Sequence, residues 1–254
     1  MKINDHISRL QLEYKDIFTT IYTIKTPEGV LVFDAASYPQ DITVHLRAHL
    51  EAEGIAKEEV RGVFISHKHS DHAGGLPAFA AEYPNAKIYS RSEVIREEYP
   101  GRVICLEDGQ ALFGGLEIVT IPGHTADSAG VLDRRSMILI TGDSLQLIGI
   151  FGSGNWCANI YFPALYLQAL GKLETMGIRR ILTAHDYHPC GWDYPDQQAI
   201  ALALQSCREP LEAIRQLILQ YPEEDDAAIA ARFNKPTLPK LGTHVVTHVR
   251  RELL

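Results

Sequence analysis

Two stretches near the N-terminus cluster β-branched and aromatic residues in the way that β-strands do. They cover residues 18–26 and 29–35, with turn-forming residues between them, and together they predict a hairpin. The period then changes, because apolar residues recur at every fourth position over residues 39–55. This spacing predicts an amphipathic helix that stops at Gly54.

Short apolar runs alternate with helical patterns along the middle of the chain. Strands are predicted at 60–66, 86–90, 116–121, 129–133, 136–141 and 180–184. One helix is predicted to start within residues 74–84, and another is predicted at 164–177. The last sixty or so residues are helical in pattern, at 196–220 and 243–253. We therefore predict an α/β fold in a single domain over 1–254, with a helical C-terminal extension over about 195–254 packed on it.

Composition and charge narrow the class of protein. Hydrophobic residues make up 46% of the chain and charged residues 22%, which favours a packed core over disorder. The formal net charge is −8, whereas nucleic-acid and anionic-membrane binders need a basic surface. No apolar run approaches the roughly 20 residues that a transmembrane helix requires. These features predict no membrane partner and disfavour nucleic acid.

The cysteines and the N-terminus bear on the cellular setting. The four cysteines are far apart and form no Cys-x-x-Cys pair; they are Cys105, Cys157, Cys190 and Cys207. A Cys₄ zinc site and a disulfide scaffold are both disfavoured. Residues 1–16 lack the apolar core of a signal peptide. We expect a cytoplasmic protein.

Histidines and aspartates follow four of the predicted strands. The segment HKHSDH comes after strand 60–66, and single candidates follow three later strands. The candidate ligands are His67, His69, Asp71, His72, His124, Asp143 and His185. Because α/β proteins tend to place ligands at strand ends, we expect these side chains to meet at one edge. Taken alone, HKHSDH is also compatible with a polar surface loop.

The number of candidate ligands indicates how many ions they would hold. A catalytic zinc takes about four ligands including water, so seven protein ligands suit two ions that share a bridging carboxylate and a bridging hydroxide. On an extended segment, His67 and His69 would point the same way, since a strand has a period of two. Asp71 and His72 follow a chain reversal and can face a second ion. Imidazole and carboxylate suit zinc, and also manganese or iron.

The order of these motifs resembles the metallo-β-lactamase superfamily. HKHSDH is followed by GH at 123–124, TGD at 141–143 and AHD at 184–186, and the resemblance covers roughly residues 15–190. It implies an αββα sandwich of two mixed β-sheets flanked by helices. It also implies a metal-dependent hydrolase with two divalent ions, zinc first and manganese or iron as alternatives.

The resemblance also implies a role for each ligand. Three residues would hold the first ion: His67, His69 and His124. Three would hold the second, with Asp143 bridging both ions: Asp71, His72 and His185. Asp71 is in addition a candidate catalytic residue that orients the nucleophile or accepts its proton. Asp34 matches an aspartate that orients the ligands, although a capped strand end is the alternative interpretation.

Particular positions distinguish the branches of the superfamily. The commonest β-lactamases have cysteine in place of Asp143, and flavodiiron proteins have glutamate in the first motif where this chain has His69. These differences argue against antibiotic hydrolysis and oxygen reduction. AHDYH is similar to GHEYT of glyoxalase II, which implies that Tyr187 is catalytic, contacting the substrate and donating to a developing oxyanion.

Substrate specificity is less well indicated. Residues 144–162 lack the basic residue and the aromatic arrangement expected for glutathione binding. The C-terminus lacks the basic glutathione-binding stretch that the resemblance to glyoxalase II would imply. The apolar segment 144–162 is interpreted as a wall of the substrate pocket, with Trp156 and Tyr161 as candidate contacts; ordinary packing is the alternative.

The leading hypothesis is hydrolysis of a small-molecule ester, thioester or lactone. A phosphodiesterase or ribonuclease is the first alternative, disfavoured by the acidic charge and by the length of the chain. A non-catalytic metal-binding regulatory module is the second, disfavoured by the complete ligand set. The oligomeric state is not predicted.

Overall fold

The computed structural model describes residues 1–15, 17–146, 158–187, 191–234 and 240–254. The chain forms two compact units. The first comprises residues 1–119 and 129–135, and the second comprises residues 120–128 and 136–254.

A mixed six-stranded sheet lies wholly within the first unit. Its strands are hydrogen-bonded in chain order: β1 (Ile7–Tyr14), β2 (Ile17–Thr26), β3 (Gly29–Phe33), β4 (Val60–Ile65), β5 (Lys87–Ser90) and β6 (Val103–Ile104). Neighbouring strands from β1 to β3 are antiparallel and those from β3 to β6 are parallel. The predicted hairpin is confirmed as β2–β3. The strand β1 was not predicted.

Short helices connect the parallel strands of this sheet, as crossover connections require. They are a π-helical segment (Asp41–Leu46) that continues into α1 (Arg47–Ala52), a 3₁₀ turn (Lys57–Glu59), α2 (Ser70–Ala73), α3 (Leu76–Glu82) and α4 (Glu93–Glu98). Ile42, Leu46 and Leu50 are buried in one hydrophobic core with residues of β3 and β4. The helix predicted over 39–55 is therefore confirmed, with a wider first turn than expected.

The other strands fall in both units. In the first, β7 (Ala111–Leu112) pairs antiparallel with β8 (Leu116–Thr120), and β9 (Ala129–Asp133) follows in the strand order. In the second, β10 (Ile138–Ile140) pairs parallel with β11 (Arg180–Tyr187), which pairs antiparallel with β12 (Gly191–Tyr194). The helix α5 (Pro163–Thr175) lies between β10 and β11 in the sequence.

Three helices form the C-terminal part of the second unit. They are α6 (Gln197–Gln220), α7 (Asp226–Phe233) and α8 (Thr243–Leu253), and they contact one another; α6 and α8 also contact α5, and α6 contacts β11 and β12. The predicted fold class, two mixed β-sheets flanked by helices with a helical C-terminal segment, is confirmed. Within the described part of the chain, no helix is long and apolar enough to cross a membrane.

Two glycines allow the chain to pass closely behind α2. A Cβ on Gly74 would lie 2.3 Å from the carbonyl oxygen of Ser37, and one on Gly75 would lie 2.1 Å from that of Ala35. Both distances are shorter than any real contact, so these positions admit only glycine. The turn at Gly74 and Gly75 therefore depends on close backbone packing, since neither residue has a positive φ.

Candidate functional site

In the first unit, Asp34 organises the candidate ligands from the end of β3. It is fully buried and has a φ of +62°, a left-handed conformation that aspartate tolerates better than most residues. Its Oδ1 accepts a hydrogen bond from the backbone N–H of Ser66 at 2.8 Å. Its Oδ2 accepts from the Ser66 hydroxyl at 3.0 Å and from Nδ1 of His72 at 2.7 Å. Burial raises the pKa of the Asp34 carboxyl, and these donors oppose that rise.

These contacts determine which nitrogen of each imidazole carries the proton. A carboxylate only accepts, so Nδ1 of His72 is the donor to Asp34. The Ser66 hydroxyl has one proton, which it donates to Asp34, so Nδ1 of His67 donates to Ser66 Oγ across 3.1 Å. Both rings therefore keep their proton on Nδ1, which leaves Nε2 to act as a metal ligand.

His67 and His69 present their rings side by side, as their two-residue spacing predicts. Nε2 of His67 lies 2.9 Å from Nδ1 of His69, and the ring centroids are 4.6 Å apart. His67 is buried and His69 is half-buried. Two ring nitrogens this close can bind one ion once the proton between them is lost.

Asp71 and His72 lie on the single turn of α2. Nε2 of His72 lies 3.6 Å from Oδ2 of Asp71. The hydroxyl of Thr19, on β2, donates to the backbone carbonyl of Asp71 at 2.7 Å and ties this turn to the sheet. An imidazole nitrogen and a carboxylate oxygen thus face each other, which is a donor pair that suits a divalent ion.

In the second unit, His124 follows a glycine that no other residue could replace. Gly123 has a φ of +152°, and a Cβ there would lie 2.3 Å from the ring of Tyr166. Its carbonyl accepts from the N–H groups of Tyr161 and Phe162 at 2.8 and 3.0 Å. Nδ1 of His124 donates to the carbonyl of Asn159 at 2.8 Å, so Nε2 is again the nitrogen without a proton.

The two carboxylate oxygens of Asp143 face two different histidines. Oδ1 lies 3.2 Å from Nε2 of His185, and Oδ2 lies 3.9 Å from Nε2 of His124. The hydroxyl of Tyr187 also donates to Oδ1, at 3.2 Å. One carboxylate between two imidazole nitrogens has the arrangement that a ligand shared by two ions needs.

His185 and Tyr187 correct one prediction about secondary structure. The strand predicted over 180–184 extends to Tyr187, so both residues lie in β11, and His185 does not follow the strand end. Alternation along the strand places both side chains on one side, with the exposed Asp186 on the other. Burial raises the pKa of Tyr187 well above its usual value, and the charge of Asp143 raises it further, so the phenol is a donor at neutral pH.

Sequence reasoning missed the residues that hold the ligands in place. Ser66 and Asn159 have no charge and belong to no recognisable motif, and Asn159 acts on His124 through its backbone carbonyl, which any residue has. For these two residues, the position of Ser66 directly before His67 is the sequence feature that could have indicated a supporting role. In the predicted pocket wall, residues 147–157, including Trp156, lie outside the described residues, and the ring of Tyr161 stacks on His244 at 4.9 Å.

Comparisons with known protein sequences identify the family of this chain. A model of the metallo-beta-lactamase superfamily matches residues 14–185. Hydroxyacylglutathione hydrolase from Francisella tularensis subsp. holarctica is 31% identical over 149 residues, which are 56% of this chain and 56% of that protein. A hydroxyacylglutathione hydrolase from Synechococcus sp. is 30% identical over 136 residues, 51% of this chain and 50% of that protein. The chain spans about half the length of these curated relatives.

Solved structures share the fold at low sequence identity. A metallo-beta-lactamase family protein from Thermus thermophilus has a TM-score of 0.69 and 18% identity, and the match covers 99% of this chain and 93% of that one. The flavodiiron protein from Giardia intestinalis has a TM-score of 0.66 and 20% identity, over 84% of this chain and 59% of that one. At these identities the likeness establishes the fold alone.

Proposed function

This chain belongs to the metallo-β-lactamase superfamily, and from that premise we propose that it is a two-metal hydrolase of a small ester, thioester or lactone. The observation that carries the proposal is the position of Asp143, whose two oxygens face Nε2 of His185 and Nε2 of His124. A carboxylate that served one ion would not need an imidazole on each side. Hydroxyacylglutathione hydrolases among the relatives support hydrolysis as the reaction class.

The proposed ligands divide between two ions. The first would be held by His67, His69 and His124. The second would be held by Asp71, His72 and His185, with Asp143 shared. Nδ1 of three of the five imidazoles is already engaged as a donor, in His67, His72 and His124, so Nε2 of each is the atom that would bind. The imidazole and carboxylate donors fit zinc, manganese or iron, and we propose zinc.

When bound, two divalent ions would lower the pKa of a water ligand towards neutrality and polarise the bond that is hydrolysed. The residues supply the rest of the reaction. Asp71 is proposed to orient the attacking water and to accept its proton. Water adds to the carbonyl carbon, the bond to the leaving oxygen or sulfur breaks, and the leaving group departs with a proton.

Glutathione is not proposed as part of the substrate, although the matching relatives carry that name. The chain spans about half of their length, and its segment after Asp143 lacks the basic residues that a glutathione carboxylate would require. Phosphodiester cleavage is the second candidate. The net charge of −8 disfavours it, because a polyanionic substrate would be repelled.

A substrate panel together with metal analysis tests the proposal. We expect close to two metal ions per chain in protein purified without chelator, and turnover of thioesters or lactones that stops when the metals are removed. Phosphodiesters and short RNA are the comparison substrates. Activity confined to them would replace the proposed reaction with the second candidate, and a metal-free, inactive protein would exclude both.

The substitution Tyr187→Phe separates two roles for the phenol. Its hydroxyl donates to Asp143, so we expect zinc affinity to fall by about tenfold, the lower end of the range for residues that orient a ligand. Zinc binding is measured by competition with a chromophoric chelator. An unchanged affinity with a kcat reduced by about 10²-fold would instead support contact with the oxyanion. Tyr194→Phe is the control, since Tyr194 is also buried but donates to the carbonyl of Gly191.

A further inference from the structure

Among the described residues of the second unit, one group of three hydrogen-bonded polar residues lies next to the proposed ligands but is not used by the proposed reaction. They are Gln146, Asn159 and His244, the last of which lies in the first turn of α8. Gln146 is 5% exposed, and the other two residues are half-buried. Buried polar side chains of this kind are held by specific partners, so their contacts indicate what they support.

Asn159 is the centre of this group and uses both its backbone and its side chain. Its side-chain oxygen accepts from Nε2 of His244 at 2.7 Å, and its backbone carbonyl accepts from Nδ1 of His124 at 2.8 Å. Its backbone N–H donates to Oε1 of Gln146 at 2.9 Å. The amide of Gln146 in turn donates to the backbone carbonyl of Asp143 at 2.9 Å. One asparagine thus connects the C-terminal helix to two of the proposed ligands.

The imidazole of His244 is itself fixed in position. Its ring stacks on Tyr161 at 4.9 Å with an interplanar angle of 24°, and Tyr161 is only two residues from Asn159. The helix that carries it buries Val245, Val246 and Val249 and packs against α5, α6 and α7. The hydrogen bond to Asn159 therefore comes from a side chain with little freedom to move away.

We propose that His244 is a positioning residue for the metal centre, acting through Asn159 on His124. By holding the Asn159 side chain, His244 would fix the neighbouring carbonyl that keeps the His124 proton on Nδ1 and its Nε2 directed at the ion. The C-terminal helix would thus contribute to metal affinity without supplying a ligand. The inference rests on the proposed function, because it takes His124 and Asp143 as ligands.

The test compares zinc affinities of the 254-residue chain and its variants by competition with a chromophoric chelator. His244→Ala is expected to weaken zinc binding by about tenfold, a typical effect of losing a group that orients a ligand. His244→Gln should retain most of the affinity, because its amide N–H can reach the same acceptor. His248→Ala is the matched control: His248 lies one turn later and contacts the same Tyr161 ring, and its Nδ1 has no hydrogen-bond partner among the described residues.

A double-mutant comparison tests whether the effect passes through Asn159. Asn159→Ala removes the side-chain acceptor and keeps the backbone carbonyl that accepts from His124. If His244 acts through Asn159, the double variant should bind zinc no more weakly than the weaker-binding of the two single variants. Additive losses would overturn the inference. So would a loss in His248→Ala as large as that in His244→Ala, because packing of the helix would then explain both.

Hydrogen exchange separates failure of this inference from failure of the proposed function. In metal-free protein, the Asn159 amide is protected by its bond to Gln146, and we expect about tenfold faster exchange in His244→Ala than in His248→Ala. If the natural protein bound no zinc, the proposed function would fail, and this measurement would still decide whether His244 holds Asn159 in place. Equal exchange in the two variants would overturn it.

Discussion

Asp143→Asn is expected to reduce hydrolysis by more than about 100-fold, beyond the effect of a residue that only orients a ligand. The carboxylate faces imidazole nitrogens on both sides, so we propose it as the ligand shared by two ions. An amide has one oxygen and no charge, and it cannot neutralise two cations at once. Bound metal should fall from two ions per chain towards one.

Asparagine is chosen so that the substitution changes the proposed ligand without destabilising the fold. Its side-chain oxygen can still accept from the hydroxyl of Tyr187, so no buried donor is left without a partner. Asp186→Asn is the control, because Asp186 is an exposed carboxylate beside His185 on β11. If Asp143→Asn kept two ions and full activity, the shared-ligand assignment would be wrong.

The sequence indicated candidate ligands, but it gave little indication of the residues that hold them in place. Metal ligands come from few residue types, here histidine and aspartate, and at fixed spacing they leave a recognisable pattern such as that of His67 and His69. The supporting contacts carry no such restriction. The Asn159 carbonyl belongs to the backbone, and Ser66 is one of many serines that could follow a strand. Their roles appear only when the three-dimensional structure places them beside an imidazole.

The errors in the predicted strands also have a physical cause. The strand β1 escaped prediction because Arg9, a charged residue, is buried in it and interrupts the apolar alternation. Its guanidinium is accommodated by hydrogen bonds to Gln11 and Thr20 and by the ring of Phe18, 5.0 Å away. The strand β11 was predicted too short because the polar residues after Ala184 resemble a loop, whereas the buried His185 and Tyr187 continue its inward face.

Asp34→Asn is expected to weaken zinc binding by about 10- to 100-fold, although Asp34 is not itself a proposed ligand. Asparagine tolerates the positive φ at this position, so the backbone is retained. The carboxylate accepts on both oxygens, from the Ser66 N–H on one and from the Ser66 hydroxyl and His72 on the other. An amide must place its NH₂ group against one of these donors.

Either orientation of that amide disturbs the imidazoles. If NH₂ faces His72, the ring must accept on Nδ1 and carry its proton on Nε2, the atom proposed to bind metal. If NH₂ faces the Ser66 N–H, a buried donor loses its acceptor, which costs about 1–3 kcal/mol of unfolding free energy. Because Ser66 also fixes the proton of His67, the substitution should weaken ligands of both proposed ions.

A second aspartate–histidine pair, in which the aspartate is buried and the histidine half-buried, separates metal binding from stability. Asp133 is 1% exposed and lies 2.6 Å from Nε2 of His6, and neither residue is a proposed ligand. Asp133→Asn should lower the free energy of unfolding, measured with denaturant on metal-free protein, by an amount comparable to that of Asp34→Asn. Only Asp34→Asn should also lower zinc affinity. Equal zinc affinities in the two variants would mean that Asp34 merely caps β3, since a general loss of stability affects both proteins alike whereas a wrong tautomer at His72 affects only one.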